Sequence, residues 1–189
     1  MVRRGNAYYR DYLTKEDVSK ILEASVPYET AHLFIRLLAR TGRRMGEIKR
    51  ITPRDVDIRE KCLWTHIEKR SKKAPDNDRR KIFLDDTTLV LLQQYIARNK
   101  IGHDEPIFKA SYSTLKRWPQ RFADKAGINK FVSCHSFRHH LITQLIETEW
   151  SYDEIQRVTG HRAIASIAHY DHAGVGVVED KFREMLAKL

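Results

Sequence analysis

The run ETAHLFIRLLAR, residues 29–40, constrains this chain most. Apolar side chains dominate it at helical spacing, so a helix formed there has to bury a broad face against other elements. Thr41-Gly42 interrupts the run, and a short helix is expected from Arg44 to Arg50. Upstream, Thr14 and Asp17 form a capping-box pattern, and Val18, Ile21 and Leu22 begin an amphipathic helix. Downstream the period changes. CLWTHIE (62–68) and RRKIFLD (79–85) read as strands, joined by the polar, proline-broken KRSKKAPDND, which predicts a hairpin with a long basic turn. Helical patterns return at 87–99 and 112–126, and from Cys134 to about Thr148 with Ser133 as N-cap. Shorter helices are expected at 152–158 and 163–170, and a last one at 178–188. Trp64 and Trp118 are expected in the core or on a groove wall. The fold class is therefore α+β, mainly α: a helical domain with a small antiparallel β-sheet.

Charge narrows the partner. Thirty-five Lys and Arg stand against 25 Asp and Glu, a net +10, and such an excess points to a polyanion, either nucleic acid or an anionic membrane surface. No apolar run approaches the ~20 residues that span a bilayer, and the opening MVRRGNAYYRDYL lacks the apolar core of a signal peptide. Nucleic acid is the favoured partner and a membrane is not expected. Cys62 and Cys134 form no C-x-x-C pair, which fits a reducing cytoplasm rather than a disulfide scaffold.

Four segments carry chemistry. They are TGRRMGEI (41–48), the turn lysines Lys69, Lys72 and Lys73, HSFRHH (135–140), and GHRAIASIAHYDH (160–172), in which Tyr170 follows Gly160-His161 by nine positions. His135 and Arg138, three apart, share one helical face. A tyrosine that attacks a DNA phosphodiester needs help, because only ~0.1% of a phenol with its reference pKa is ionised at pH 7. The phosphate gains charge during the displacement, and arginine forks match its oxygens in paired hydrogen bonds. The departing 5′-oxygen needs a proton, which a lysine of lowered pKa can give. Two arginines, a lysine, two histidines and a tyrosine meet these needs without a metal.

In this ordered set the chain resembles the tyrosine recombinases, or phage integrases. Their T-G-x-R-x-x-E motif is matched by Thr41 to Glu47, and their H-x-x-R, G-H and spaced tyrosine by His135, Arg138, Gly160-His161 and Tyr170. The resemblance covers nearly all of 13–175 and implies the integrase catalytic fold. It further implies site-specific cleavage and rejoining of DNA strands through a 3′-phosphotyrosyl link on Tyr170. Arg44 and Arg138 would clamp the phosphate and His161 would donate to it. His135 would handle the nucleophile's proton, Lys69 or Lys72 would be the general acid, and Glu47 would brace the site. Further DNA contacts are expected from Arg43, Lys72, Lys73, His139 and Arg162, with no metal or other cofactor. Arg43 departs from the pattern, since the family often has an apolar residue there. The family normally carries a separate DNA-clamping domain before the catalytic one. Residues 1–12 are accordingly expected to be a linker or its remnant, 13–175 the catalytic domain, and 176–189 an amphipathic helix or tail that docks on its own domain or on a neighbouring protomer. A monomer in isolation and a homotetramer on synapsed DNA are implied, in a prokaryotic or viral protein acting in the cytoplasm.

Competing readings are a type IB topoisomerase-like nicking-closing enzyme and a non-catalytic DNA-binding module of the same fold. His135 and His139 at i, i+4 would suit zinc, but no H-E-x-x-H glutamate or Cys/His cluster completes a site. The charge excess generates a direct expectation: raising salt from 50 to 200 mM should weaken DNA binding by roughly a thousandfold, the loss typical of six or more phosphate contacts. Fluorescence anisotropy on a labelled duplex measures it, and a flat salt profile would remove the phosphate-dominated reading.

Overall fold

In the computed structural model, residues 12–66 and 79–159 are described. The chain divides into two compact units, Met1–His140 and Leu141–Leu189.

The first unit is organised around one buried helix. Helix α1 (Lys15–Ser25) starts at the predicted capping box: the Thr14 hydroxyl accepts from Asp17 N at 3.1 Å, and the Asp17 carboxylate accepts from Thr14 N at 3.0 Å. Lys130 then grips the same carboxylate at 2.6 Å and the Tyr12 carbonyl at 3.1 Å, which ties the start of α1 to the segment before the H-x-x-R helix. Helix α2 (Glu29–Thr41) is the apolar run. Leu33, Phe34, Ile35, Leu37 and Leu38 are all buried, and the helix packs against α1, α3 (Met45–Lys49), α4 (Asp86–Arg98) and α5 (Tyr112–Lys125). Phe34 anchors the contact, with Phe108 and Trp118 edge-on to it at 5.3 and 5.6 Å between ring centroids. Burying an aromatic cluster of this kind stabilises the core, since each ring removes a large apolar area from water. Trp118 thus takes its expected place against the core. Trp64 is half-buried on the sheet, beneath the Arg79 guanidinium at 5.8 Å.

The sheet has three antiparallel strands in the order β1 (Val56–Asp57), β2 (Cys62–His66) and β3 (Arg79–Phe83). The two predicted strands pair with each other, Leu63 opposite Ile82 and Thr65 opposite Arg80. β3 stops short of the predicted end because Asp85 is recruited as the N-cap of α4, accepting from Thr88 N at 2.9 Å. β1 was not anticipated. It follows a 3₁₀ turn, Pro53–Asp55, in which the buried Asp55 carboxylate accepts from Thr52 N and Oγ1 at 3.0 Å and from Arg79. Two residues are too few to leave an alternating pattern, so only this packing identifies the strand. Both cysteines are free thiols.

Helix α6 (Cys134–Glu147) begins in the first unit. At its start Ser136 Oγ accepts from Ser133 N at 3.0 Å, so the predicted N-cap serine takes part as a backbone donor. In the second unit, Ile142 and Ile155 are fully buried with Leu145, Ile146 and Tyr152 packed against them. Helix α7 (Tyr152–Thr159) opens with Ser151 N donating to Glu154 Oε2 at 2.8 Å and the Ser151 hydroxyl accepting from Glu154 N at 3.3 Å. The helices expected at 163–170 and 178–188 and the basic turn lie outside the described residues.

One half-buried titratable contact gives this core a pH signature. His32 Nδ1 lies 2.9 Å from Ser25 Oγ and 3.1 Å from the Leu22 carbonyl, and burial, the largest influence, holds its pKa below the ordinary value. The unfolded chain therefore binds the proton more readily. The contribution is complete above the unfolded pKa, about 6.5, and is lost as pH falls below it toward the folded value. His32→Asn, which keeps an N–H donor, should flatten the fall in melting temperature between pH 7 and 5. An unchanged slope would assign that pH dependence to other groups.

Candidate active site

The site starts from the break after α2. Gly42 caps the helix in the left-handed region, φ 58°, and its amide donates to the Leu38 carbonyl at 3.0 Å. Glycine takes this conformation without the steric penalty a Cβ brings. Thr41, fully buried, braces the turn: its hydroxyl donates to the Leu37 carbonyl at 2.6 Å and accepts from Arg43 N at 3.3 Å. The chain leaves one helix and enters α3 within three residues, which places Arg43 and Arg44 on a tight corner.

Arg44 is held by Glu47. One carboxylate oxygen accepts from Arg44 Nη1 and the other from Arg44 N, both at 3.1 Å. The Glu47 side chain is 1% exposed and that of Arg44 25%, so the acid anchors from inside while the guanidinium reaches outward. Arg138 comes from α6, 96 positions from Gly42, and its Nη1 donates to the Gly42 carbonyl at 2.7 Å. His135 lies one turn before Arg138. With Arg44 it lines a cavity of ≈ 280 Å³ that Met45, Tyr112, Lys116 and Cys134 also border. Two motifs far apart in sequence thus converge on one three-residue corner and one cavity.

Neighbouring groups are tuned by burial. The Cys134 thiol is pushed up to about 11 by desolvation and rests 3.7 Å from Met45 Sδ, so it is an inert wall. Burial, then the charges of His135 and Arg138, hold the His139 imidazole below its ordinary pKa, with the His135 ring 6.4 Å and the Tyr12 ring 6.1 Å away. His140 is a packing residue, 8% exposed with Nδ1 2.8 Å from the Leu13 carbonyl. Among the described residues, no three His, Cys, Asp or Glu side chains gather as a metal cluster, and no helix is long and apolar enough to cross a membrane.

The structure brings together Arg44, Glu47, His135 and Arg138 as the sequence motifs anticipate. It does not bring Arg43, an expected DNA contact, to the surface: the residue is 1% exposed, because the corner that turns Arg44 outward turns its neighbour inward. Tyr170, His161, Arg162, Lys69, Lys72 and Lys73 lie outside the described residues. Tyr112 and Lys116 were missed. Their signal was the start of α5, where Ser111 accepts from Thr114 N at 3.1 Å and aims the first turn at the cavity. Lys116, Arg117 and Arg121 continue from there along a second, open groove that Phe131 also lines.

Residues 11–175 match the family model described as the phage integrase family. The chain belongs to the phage integrase family. It is 29% identical over 154 residues to the tyrosine recombinase XerA of Saccharolobus solfataricus, a match covering 82% of this chain and 48% of that protein. With the tyrosine recombinase XerD of Listeria innocua it shares 23% identity over 188 residues, covering 91% of this chain and 61% of XerD. The chain therefore spans about half the length of the XerA relative. Among solved structures, the XerA recombinase crystal structure superposes with a TM-score of 0.77 at 22% identity, covering 98% of this chain and 66% of that one. XerH bound to its difH substrate in a pre-cleavage complex gives 0.72 at 19% identity, covering 86% and 50%. The integrase catalytic fold, mainly helical with one small antiparallel sheet, is common to them.

The corner makes its own prediction. Gly42→Ala should destabilise the protein by about 1 kcal/mol, the ordinary penalty of a Cβ in the left-handed region, and should displace the carbonyl that Arg138 holds. Urea unfolding measures the first effect; a neutral substitution would mean that the corner tolerates a side chain.

Proposed function

We propose that this chain is the catalytic part of a site-specific DNA recombinase that breaks and rejoins duplex strands through a covalent tyrosyl intermediate. Tyr170 Oη attacks the scissile phosphorus, the bond to the 5′-oxygen breaks, and a 3′-phosphotyrosine remains with a free 5′-hydroxyl. Attack by a 5′-hydroxyl from another strand reverses the step and completes the exchange. The observation that carries this reading is the convergence of the two arginine motifs: Arg138 bonded to Gly42 at 2.7 Å, and Arg44 two residues along, braced by Glu47.

In this reading Arg44 and Arg138 bind the non-bridging oxygens, where planar permanent cations are best matched to a phosphate gaining charge. Arg44 is suited to it by a fixed guanidinium at a cavity wall. His135, on the same wall, takes part in moving the tyrosine proton. His161 donates a further hydrogen bond to the phosphate, and Lys69 or Lys72 protonates the leaving 5′-oxygen. Lys72, Lys73, His139 and Arg162 are assigned to the DNA contact, and Lys116 joins them because it borders both the cavity and the basic groove. No metal or nucleotide cofactor enters the proposed steps. Four protomers assembling on two duplexes in the cytoplasm, from a monomer in solution, complete the proposal. The names of the relatives and the substrate complex of XerH support it.

A suicide duplex, nicked so that cleavage releases a short oligonucleotide, tests the chemistry. The protein should form an SDS-resistant adduct carrying 3′-phosphotyrosine, with EDTA making no difference. Tyr170→Phe should bind DNA and give no adduct. Arg44→Ala and Arg138→Ala should each lower the rate by about a hundredfold or more, as loss of a transition-state donor does. Adduct formation by Tyr170→Phe would overturn the assignment of the nucleophile, and strong inhibition by EDTA would revive a metal mechanism.

A further inference from the structure

Arg43 is a buried ion without the partners that buried ions ordinarily have. Its residue exposure is 1%, and neither Nε nor Nη2 makes a hydrogen bond among the described residues. Water releases an ionised group only at a large cost, which folds usually offset with acceptors placed around it. Here the nearby charges among the described residues are the Glu47 carboxylate and two further cations, Arg44 and Arg80. Glu47 is already engaged, with both oxygens accepting from Arg44. One carboxylate therefore faces two adjacent guanidinium groups, and the Arg43–Arg44–Glu47 set keeps a net positive charge.

The location of that charge gives it a use. Arg43 stands between Gly42, whose carbonyl receives Arg138 Nη1 at 2.7 Å, and Arg44, which lines the cavity. The surplus cation belongs to the backbone segment that carries Arg44 and receives Arg138. Burial lowers its pKa, Glu47 opposes that, and Arg80 and Arg44 add to the lowering; a guanidinium nevertheless keeps its proton. Screening is weak in such surroundings, so a fixed charge acts further than it would in water. An apolar side chain, which the family often has here, would fill the space with no desolvation cost.

We propose that Arg43 is an electrostatic positioning residue, a fixed interior cation that strengthens the hold of the Arg44–Arg138 site on the phosphate as charge develops there, at the expense of fold stability. This rests on the phosphoryl-transfer reading above.

The test compares full-chain wild type, Arg43→Met and Arg43→Lys on two suicide duplexes, one with a phosphodiester at the cleaved position and one with a methylphosphonate, which lacks the non-bridging negative charge. Arg43→Met should melt at a higher temperature than wild type and bind the duplex within about twofold. On the phosphodiester it should form adduct roughly tenfold more slowly, less than the loss of a direct donor. On the methylphosphonate that deficit should shrink to within about twofold. Arg43→Lys, which keeps the charge, should restore most of the phosphodiester rate. Equal rates for wild type and Arg43→Met overturn the proposal, as does an equal deficit on both duplexes. An Arg43→Met protein that fails to fold also overturns it, because the charge would then be structural. If wild type itself gives no adduct, the proposed function falls and this inference falls with it; an adduct from wild type with Arg43→Met unchanged removes this inference alone.

Discussion

The hydrogen bond from Arg138 Nη1 to the Gly42 carbonyl, 2.7 Å long and closed off from solvent, joins segments 96 positions apart and sets the start of α6 against the corner that carries Arg44. Two effects favour it. The carbonyl lies just past the C-terminus of α2, where unpaired helix carbonyls concentrate partial negative charge. Arg138 is 3% exposed, so moving its guanidinium away would leave a buried ion with one acceptor fewer. The start of α6, with His135 one turn earlier, is thereby indexed to the corner that carries Arg44. A shift of either segment would break the bond and separate the two arginines.

Charge in this interior gathers at one corner. Glu47, 1% exposed, holds Arg44 by two contacts and leaves its guanidinium facing the cavity. Thr41 and Gly42 build a turn with no slack, and Arg43 is pressed inward as a result. Such groups destabilise a fold unless a large apolar core carries them. Here α2 provides that core, with Phe34 fully buried and two aromatic rings edge-on to it. The buried helix α2 and the charged corner at Arg43 and Arg44 are consecutive, so the rigid element directly sets the polar one.

Much of this was legible in the residues. Amphipathic spacing located α2, α4 and α5 to within a residue or two at their ends, and Thr14 with Asp17 located the start of α1, because these signals are local. The T-G-x-R-x-x-E and H-x-x-R motifs named Arg44, Glu47, His135 and Arg138, which the fold gathers at one corner. What escaped notice depends on distant partners. β1 is two residues paired to β2, too short for any period. Tyr112 and Lys116 border the cavity only because α5 packs beside α3. Arg43 reads as a surface cation, and its burial follows from the direction in which the corner turns.

Fold class, family and the chemical types at the site are written along the chain, as hydrophobic period, capping residues and ordered motifs. Packing in three dimensions settled what holds Arg44 at the cavity, that Arg43 turns away from it, and where the surplus charge resides. Adjacent residues such as Arg43 and Arg44 are equivalent by composition, and only the left-handed turn at Gly42, with α6 packed onto its carbonyl, sends one inward and the other out.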